Sequence, residues 1–362
     1  MVAVHQFIPT FAPRDAIGTH ARHAQRILSE MGVESHIYAE GAPGGWRGVR
    51  PYRTYGWRRS PRGRTWLMYQ LSTGSAVADY LVARPEPKIV NYHNVTTASL
   101  FSPWEPHVGV ELEAGRRQLR DLGPDCELGV AVSAFNEADL RAAGVARTAV
   151  APVLVDLEHR AVAPDPERRG ALARARRGGG ADWLFVGRVA PHKCQHQVVR
   201  AFAAYRRVYD PAARLHLVGG IGSHSYFCAL SRFVTGLGLG GAVDLAGSVS
   251  QPALMAYYEA ADVLVCLSEH EGFCVPIIEA MGHGVPVVAF GAAAVPETVA
   301  DAGVLLATKD AVTVAAAVHR VTSDAALRQL LVDAGRARAA DFSLARSEAR
   351  FRQVMADFLA GR

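Results

Sequence analysis

Two glutamates, Glu271 and Glu279, stand eight positions apart with Gly272 and Pro276 between them. The apolar run Val263–Leu267 leads in as a strand, and a helix is expected to start near Pro276. A strand, a turn and a helix N-terminus offer backbone N–H groups and a positive dipole end to an anion. A carboxylate on each side can accept hydrogen bonds from hydroxyls. A ligand rich in both phosphate and hydroxyl groups fits that pattern, and a nucleotide sugar is the leading candidate.

A second constellation reads Phe185-Val-Gly-Arg-Val-Ala-Pro-His-Lys193. A buried strand ends at Gly187, and Arg188 and Lys193 follow on the loop before the next helix. Two cations at the carboxyl edge of a parallel sheet can hold a diphosphate, Arg as a planar fork and Lys as a point charge. Taken alone, the same stretch also reads as a surface loop with ordinary charges.

The remaining composition narrows the class. Half of the 362 residues are hydrophobic, yet no apolar run reaches the roughly 18 residues needed to span a bilayer. No signal-peptide pattern precedes the first strand, Val2–Ile8, so a cytoplasmic location is expected. Five scattered cysteines without a Cys-x-x-Cys pair argue for reduced thiols. His192, Cys194 and His196 have metal-like spacing but lack a fourth ligand, so no metal is expected.

The net charge of +5 is unevenly spread. Residues 44–66 carry Arg47, Arg50, Arg53, Arg58, Arg59, Arg62 and Arg64 among Trp46, Trp57 and Trp66. This stretch reads either as a surface for an anionic acceptor or the inner face of a membrane, or as a solvated loop paired with acids elsewhere. No nucleic-acid motif accompanies it.

Alternating apolar runs and helical patterns place these residues on parallel α/β units. In the first half we expect strands at Val2–Ile8, Ser35–Tyr38, Lys88–Tyr92, Leu128–Val132 and Thr148–Val153. Helices are expected at His20–Met31, Thr65–Leu81 and Glu111–Leu122. Asp156–Gly180, with its prolines, arginines and Gly178–Gly180, breaks the pattern. The rhythm restarts with strand Trp183–Val186, helix Gln195–Val208, strand Arg214–Val218, helix Phe227–Leu237, strand Val243–Leu245 and helix Pro252–Ala261. After the glutamate turn come strand Pro286–Phe290, two helices near 310–336 and an amphipathic helix over Ser343–Leu359. Two doubly wound domains are the expected α/β architecture: 1–158 with 343–362, a linker or hinge at 159–180, and 181–342.

Gly187-Arg188-Val-Ala-Pro-His-Lys193 together with Glu271-Gly-Phe-Cys-Val-Pro-Ile-Ile-Glu279-Ala-Met resembles the retaining glycosyltransferases of family 4. Gly219-Gly220, Gly247-Ser-Val-Ser250, Gly284-Val-Pro-Val-Val and Pro296-Glu297 add similar segments along the chain. The resemblance implies a GT-B fold, with two Rossmann-like domains facing across a cleft and a final helix crossing back to the first. It implies that Glu279 binds the ribose and that Glu271 binds a hydroxyl of the transferred sugar beside the N–H groups of Phe273, Cys274 and Val275. Arg188 and Lys193 would grip the diphosphate, and Gly187 would close the strand before them. Gly247, Ser248 and Val249 would meet the base, Gly18 in Asp15-Ala-Ile-Gly18-Thr-His20 would approach the diphosphate, and His93 would lie near the reacting sugar carbon. His93 alone also reads as a hydrogen-bonded core histidine, and His20 as a helix-face residue that could look into the acceptor cleft. The family's turn reads Glu-Gly-Phe-Gly, whereas this chain has Cys274 in the last place.

The expected reaction is transfer of a hexosyl group from a nucleotide diphosphate sugar, UDP more than GDP, to a hydroxyl of a glycan, lipid-linked or natural-product acceptor. No metal or other cofactor is expected. The competing readings are a nucleotide-sugar epimerase, a phosphorolytic enzyme of the same fold, and a noncatalytic sugar-nucleotide-binding subunit.

Overall fold

The computed structural model describes residues 2–12, 16–43, 45, 47–58, 64–156 and 162–361, without the side chains of Trp57 and Arg58. The chain divides into two compact units. The first comprises Met1–Ser102, Pro106–Asp156 and Ser343–Arg362, and the second comprises Pro103–Glu105 and Leu157–Phe342.

The first unit holds an all-parallel sheet of β1 (Ala3–Thr10), β2 (Ile37–Gly41), β3 (Val49–Pro51), β4 (Thr65–Leu71), β5 (Lys88–Tyr92), β6 (Cys126–Ala131) and β7 (Thr148–Val150). Its order is β3-β2-β1-β4-β5-β6-β7. Helices α1 (Ala16–Glu30), α2 (Ala76–Val82), α3 (Pro106–Leu122) and α4 (Ala134–Ala142) belong to it. Every residue of β5 is buried, as strands covered on both faces require.

One expectation fails here: Thr65–Leu81 is not a single helix. Thr65–Leu71 is the central strand β4, with Val4 opposite Trp66 and Met68 opposite Ile89. Only Ala76–Val82 is helical, capped by Ser75, whose hydroxyl accepts from the Ala78 N–H. The run Trp-Leu-Met-Tyr-Gln-Leu is buried at every position, and such a run has no alternation to separate it from a buried helix.

The second unit carries the parallel strands β8 (Asp182–Val186), β9 (Arg214–Val218), β10 (Val243–Gly247), β11 (Val263–Cys266), β12 (Val287–Phe290) and β13 (Val304–Leu306). Their order is β10-β9-β8-β11-β12-β13. The chain moves outward one way from β8 and the other way from β11, so these two neighbours flank the topological switch point. The helices are α5 (Pro166–Ala175), α6 (Gln195–Val208), α7 (His224–Gly236), α8 (Gln251–Ala260), α9 (Val275–Gly282), α10 (Val295–Val299), α11 (Ala311–Ser323) and α12 (Ala325–Asp341).

The stretch expected as a linker is partly regular structure. Asp165 caps α5 by accepting from the Arg168 N–H at 2.7 Å, and α5 packs on α8. The prolines Pro164 and Pro166 mark a helix start, Pro166 being tolerated in the first turn. Residues 157–161 of that stretch lie outside the described residues.

The last helix, α13 (Leu344–Leu359), belongs to the first unit. Phe351, Met355 and Phe358 are buried with Val4, Ile27, Trp66 and Leu128. Glu348 accepts from His23 and Arg26 of α1, and Arg352 reaches Glu30. Among the described residues, no helix is long and apolar enough to cross a membrane.

Candidate active site

The carboxyl ends of β8 and β11 are adjacent because the strands pair, Val263 with Trp183 and Leu264 with Leu184. After β8 the chain passes Gly187 and Arg188, makes a tight turn over Pro191–Lys193, and enters α6 through Cys194. After β11 it passes Ser268 and Glu271 and enters α9 through Cys274. The Glu269 N–H donates to the His192 carbonyl at 2.8 Å and locks the two loops together. Across that lock, Lys193 Nζ donates to both oxygens of Glu271, at 2.6 and 2.7 Å.

Glu271 is buried, and the Lys193 side chain keeps 19% exposure. Burial opposes the charge of Lys193, but the facing Glu271 carboxylate outweighs it and holds the ammonium above its ordinary value. Arg188 is exposed, and among the described residues it makes no ion pair. The backbone of Arg188 is fixed instead, its carbonyl accepting from Gln195 Nε2 at 2.9 Å. Buried His192 is pushed well below the usual imidazole range by burial first, then by Lys193, Arg188 and His270. Two cations and an anion thus gather at one sheet edge, the place where a phosphate-bearing ligand binds in such folds.

Neighbouring loops are tied to this edge through their backbones. Gly187 N–H donates to Val218 at 2.9 Å, Val189 to Gly220 at 2.8 Å, and Gly219 to Gly247 at 2.9 Å. Gly219 has φ of +149°, and a Cβ there would stand 2.1 Å from the Gly187 carbonyl oxygen, so only glycine permits the approach. Gly247 ends β10, and Ser248 and Val249 follow before Ser250 caps α8.

Glu279 lies within α9 and is buried. Tyr258 of α8 donates its hydroxyl to Glu279 Oε2 at 2.9 Å, and His283 stacks on the Tyr258 ring at 5.1 Å. Sequence reasoning missed Tyr258, because no spacing links it to Glu279. Phe273 packs edge-on against Phe342, Thr298 donates its hydroxyl to the Phe273 carbonyl, and Val275 opens α9. Cys274 adopts φ of +71°, a left-handed backbone that glycine enters freely and cysteine at a cost of about 1 kcal/mol. The departure from the family's glycine therefore touches the backbone as well as the side chain.

In the first unit, His93 follows β5 and its N–H donates to the Leu71 carbonyl. Its Nε2 lies 2.7 Å from Gln70 Oε1, and burial lowers its pKa to about 3, so the ring is neutral. Gln70 was also missed, because its strand was read as a helix; in the sheet it stands opposite Asn91. His20 does not look out of a helix face. It is fully buried, edge-on to His93 at 4.9 Å, with Nδ1 accepting from the Leu154 N–H. Gly18 is buried in the first turns of α1, and Asp15 lies outside the described residues.

The Arg/Trp stretch is only partly a free basic surface. Trp66 is core, donating to Glu127 at 2.8 Å and packing on Phe358. Arg64 pairs with Glu127, Arg50 bonds Tyr38 and Arg53 bonds Tyr52. The Arg47 carbonyl accepts from Arg22. Trp46, Arg59 and Arg62, with the side chains of Trp57 and Arg58, lie outside the described residues.

His192, Cys194 and His196 do not converge. His196 Nδ1 meets the Tyr226 hydroxyl at 2.8 Å, while Cys194 Sγ faces the Pro191 carbonyl and Lys309.

The chain is 30% identical over 330 residues to a D-inositol 3-phosphate glycosyltransferase of Kineococcus radiotolerans, covering 87% of this chain and 66% of that protein. It is 26% identical over 318 residues to a GDP-mannose-dependent alpha-(1-6)-phosphatidylinositol monomannoside mannosyltransferase of Mycolicibacterium smegmatis, covering 80% and 81%. Two further relatives named D-inositol 3-phosphate glycosyltransferase are spanned over only 45% and 46% of their length. The crystal structure of Anabaena HepE in complex with UDP-glucose superimposes with a TM-score of 0.73 at 17% identity, over 99% of this chain and 100% of that one. That likeness and the two doubly wound sheets make this the GT-B fold. Residues 174–338, which carry Arg188, Lys193, Glu271 and Glu279, match the sequence profile of the glycosyl transferases group 1.

Proposed function

We propose that the chain moves a hexosyl group from a nucleotide diphosphate sugar to an acceptor hydroxyl, with the α configuration retained. The observation that carries this reading is the Lys193–Glu271 pair at the β8/β11 switch point. Lys193 and Arg188 meet the diphosphate, Glu271 a hydroxyl of the sugar, and Glu279 the ribose. Gly247, Ser248 and Val249 meet the base, the Gly18 turn approaches the diphosphate, and His93 lies at the sugar's reacting carbon.

In the reaction, the bond from the anomeric carbon to the diphosphate breaks and the acceptor oxygen joins that carbon on the same face. The departing phosphate oxygen takes the acceptor proton. Lys193 and Arg188 stabilise the charge that develops on the leaving group, so the residues at hand supply the electrostatic role without a divalent ion. Glu271 and Glu279 bind and need not attack.

UDP is the proposed carrier ahead of GDP, in keeping with the ligand of HepE; the GDP-mannose-dependent relative makes GDP the alternative to test. The acceptor is proposed to be anionic or lipid-linked, contacting the arginines of 44–66 from the inner face of a membrane. A thermal-shift series with UDP, GDP, TDP and ADP tests the donor, since the matching nucleotide should raise the melting temperature most. Equal shifts for all four would remove the donor assignment. Nucleotide release that depends on added acceptor tests transfer itself, and acceptor-independent release would mean a different reaction.

A further inference from the structure

Glu271 has neighbours besides Lys193. Cys266 ends β11, Cys274 precedes α9, and their Sγ atoms lie 3.8 Å apart. The two sulfurs and a Glu271 carboxylate oxygen all lie within 4.8 Å of one another, and all three residues are buried. Two zinc–sulfur bonds of about 2.3 Å at a tetrahedral angle hold their sulfurs about 3.8 Å apart. A disulfide needs about 2.05 Å. The thiols therefore already stand at the spacing of a metal's coordination edge. The second thiol belongs to this chain's own departure from the family's glycine at 274, kept in a left-handed backbone that glycine would adopt without strain.

We propose that Cys266, Cys274 and Glu271 form a site for a thiophilic divalent cation, Zn2+ above all, whose binding pulls Glu271 away from Lys193 and stops turnover. Two thiol protons leave to solvent as two sulfur–metal bonds and one oxygen–metal bond form; nothing is oxidised, and water completes the fourth position. Two thiolates and a carboxylate balance the dication together with the displaced ammonium, so the buried cluster stays neutral. Lys193, which faces Glu271, keeps 19% exposure, and on the proposed donor contacts of Lys193 and Glu271 a bound nucleotide sugar should protect the site. The effect on turnover rests on the proposed role of Glu271, whereas the binding itself does not.

The test uses the reduced full chain and Co2+ as a spectroscopic probe. Wild type should bind one equivalent with thiolate-to-cobalt charge-transfer bands, displaced by Zn2+. Cys266→Ser should lose most of that intensity and bind at least about tenfold more weakly, as loss of a ligand requires. Zn2+ should inhibit sugar transfer by wild type reversibly, with a chelator restoring it, while Cys266→Ser stays active and resistant. Thermal unfolding of Cys266→Ser and Cys266→Ala checks that both fold. Absence of charge-transfer bands in reduced wild type, or an unchanged spectrum in both folded variants, overturns the proposal. A protein that transfers sugar but shows no bands overturns the cation site alone. One that shows the bands but transfers nothing keeps the site and overturns the glycosyl-transfer reading.

Discussion

At the residue scale, the Lys193–Glu271 pair is closed on itself, each group answering the other's charge in a largely desolvated setting. Removing one partner of a buried pair leaves an uncompensated charge, so truncation harms more than a missing contact. Lys193→Ala should lower kcat/KM by about a hundredfold or more, the usual loss when a donor to developing negative charge is removed. Near-normal turnover by that variant would dismiss its leaving-group role. Tyr258→Phe tests the support of Glu279. The buried carboxylate loses a donor, which costs about 1–3 kcal/mol, and the KM for donor should rise while kcat holds. A fall in kcat at constant KM would show that Tyr258 acts on some other step.

At the element scale, the starts of β8, β9 and β10 share a polar cluster within the second sheet. His216 of β9 lies between Asp182 at 3.2 Å and Asp244 at 3.5 Å, and Arg214 forks onto Asp182. Burial works against the imidazolium, but the two carboxylates prevail and raise the His216 pKa. Asp182 is likewise penalised by burial, and His216 and Arg214 prevail in lowering it. A raised histidine stabilises fully below its unfolded value of about 6.5 and loses that contribution as pH climbs through its folded value. A lowered carboxylate stabilises above about 4 and loses its contribution as pH falls through its folded value. This cluster's own contribution is therefore greatest in weak acid, whereas buried His93 and His192, held below their ordinary value, act the opposite way as pH falls, so the melting-temperature difference between wild type and His216→Gln should widen as pH drops from about 8 to about 6. A difference that stays constant over that range would place no pH-dependent stability at His216.

The same scale explains what could be read beforehand. Helix Gln195–Val208 and strand Arg214–Val218 coincide with their expected limits, because each is a periodic or apolar run bounded by breakers. The placement of Lys193 and Glu271 on strand–loop–helix junctions was legible because that geometry is local, and Glu279 falls within the helix that follows. Gln70 and Tyr258 were not, since their partners come from other strands and helices. The Cys266–Cys274 approach was equally hidden, because it depends on a left-handed residue that the letter for cysteine does not announce.

At the scale of the whole chain, the first unit is assembled from three separate stretches, the last of them α13. Phe351 is fully buried at the junction of α13 with the sheet and α1. Phe351→Ala should cost about 3–5 kcal/mol, read as a lowered urea midpoint for the first unit. A loss below about 1 kcal/mol, within the range of surface substitutions, would mean that α13 contributes little to that core.

That discontinuity sets an order of events during synthesis. The sheet over residues 3–150 leaves the ribosome with the seat for Phe351, Met355 and Phe358 still uncovered. Residues 162–342 emerge next with their own strands and core already complete. The second unit can thus finish folding while the first waits with its apolar flank uncovered. Only when translation has passed Leu359 does the chain carry the piece that covers it.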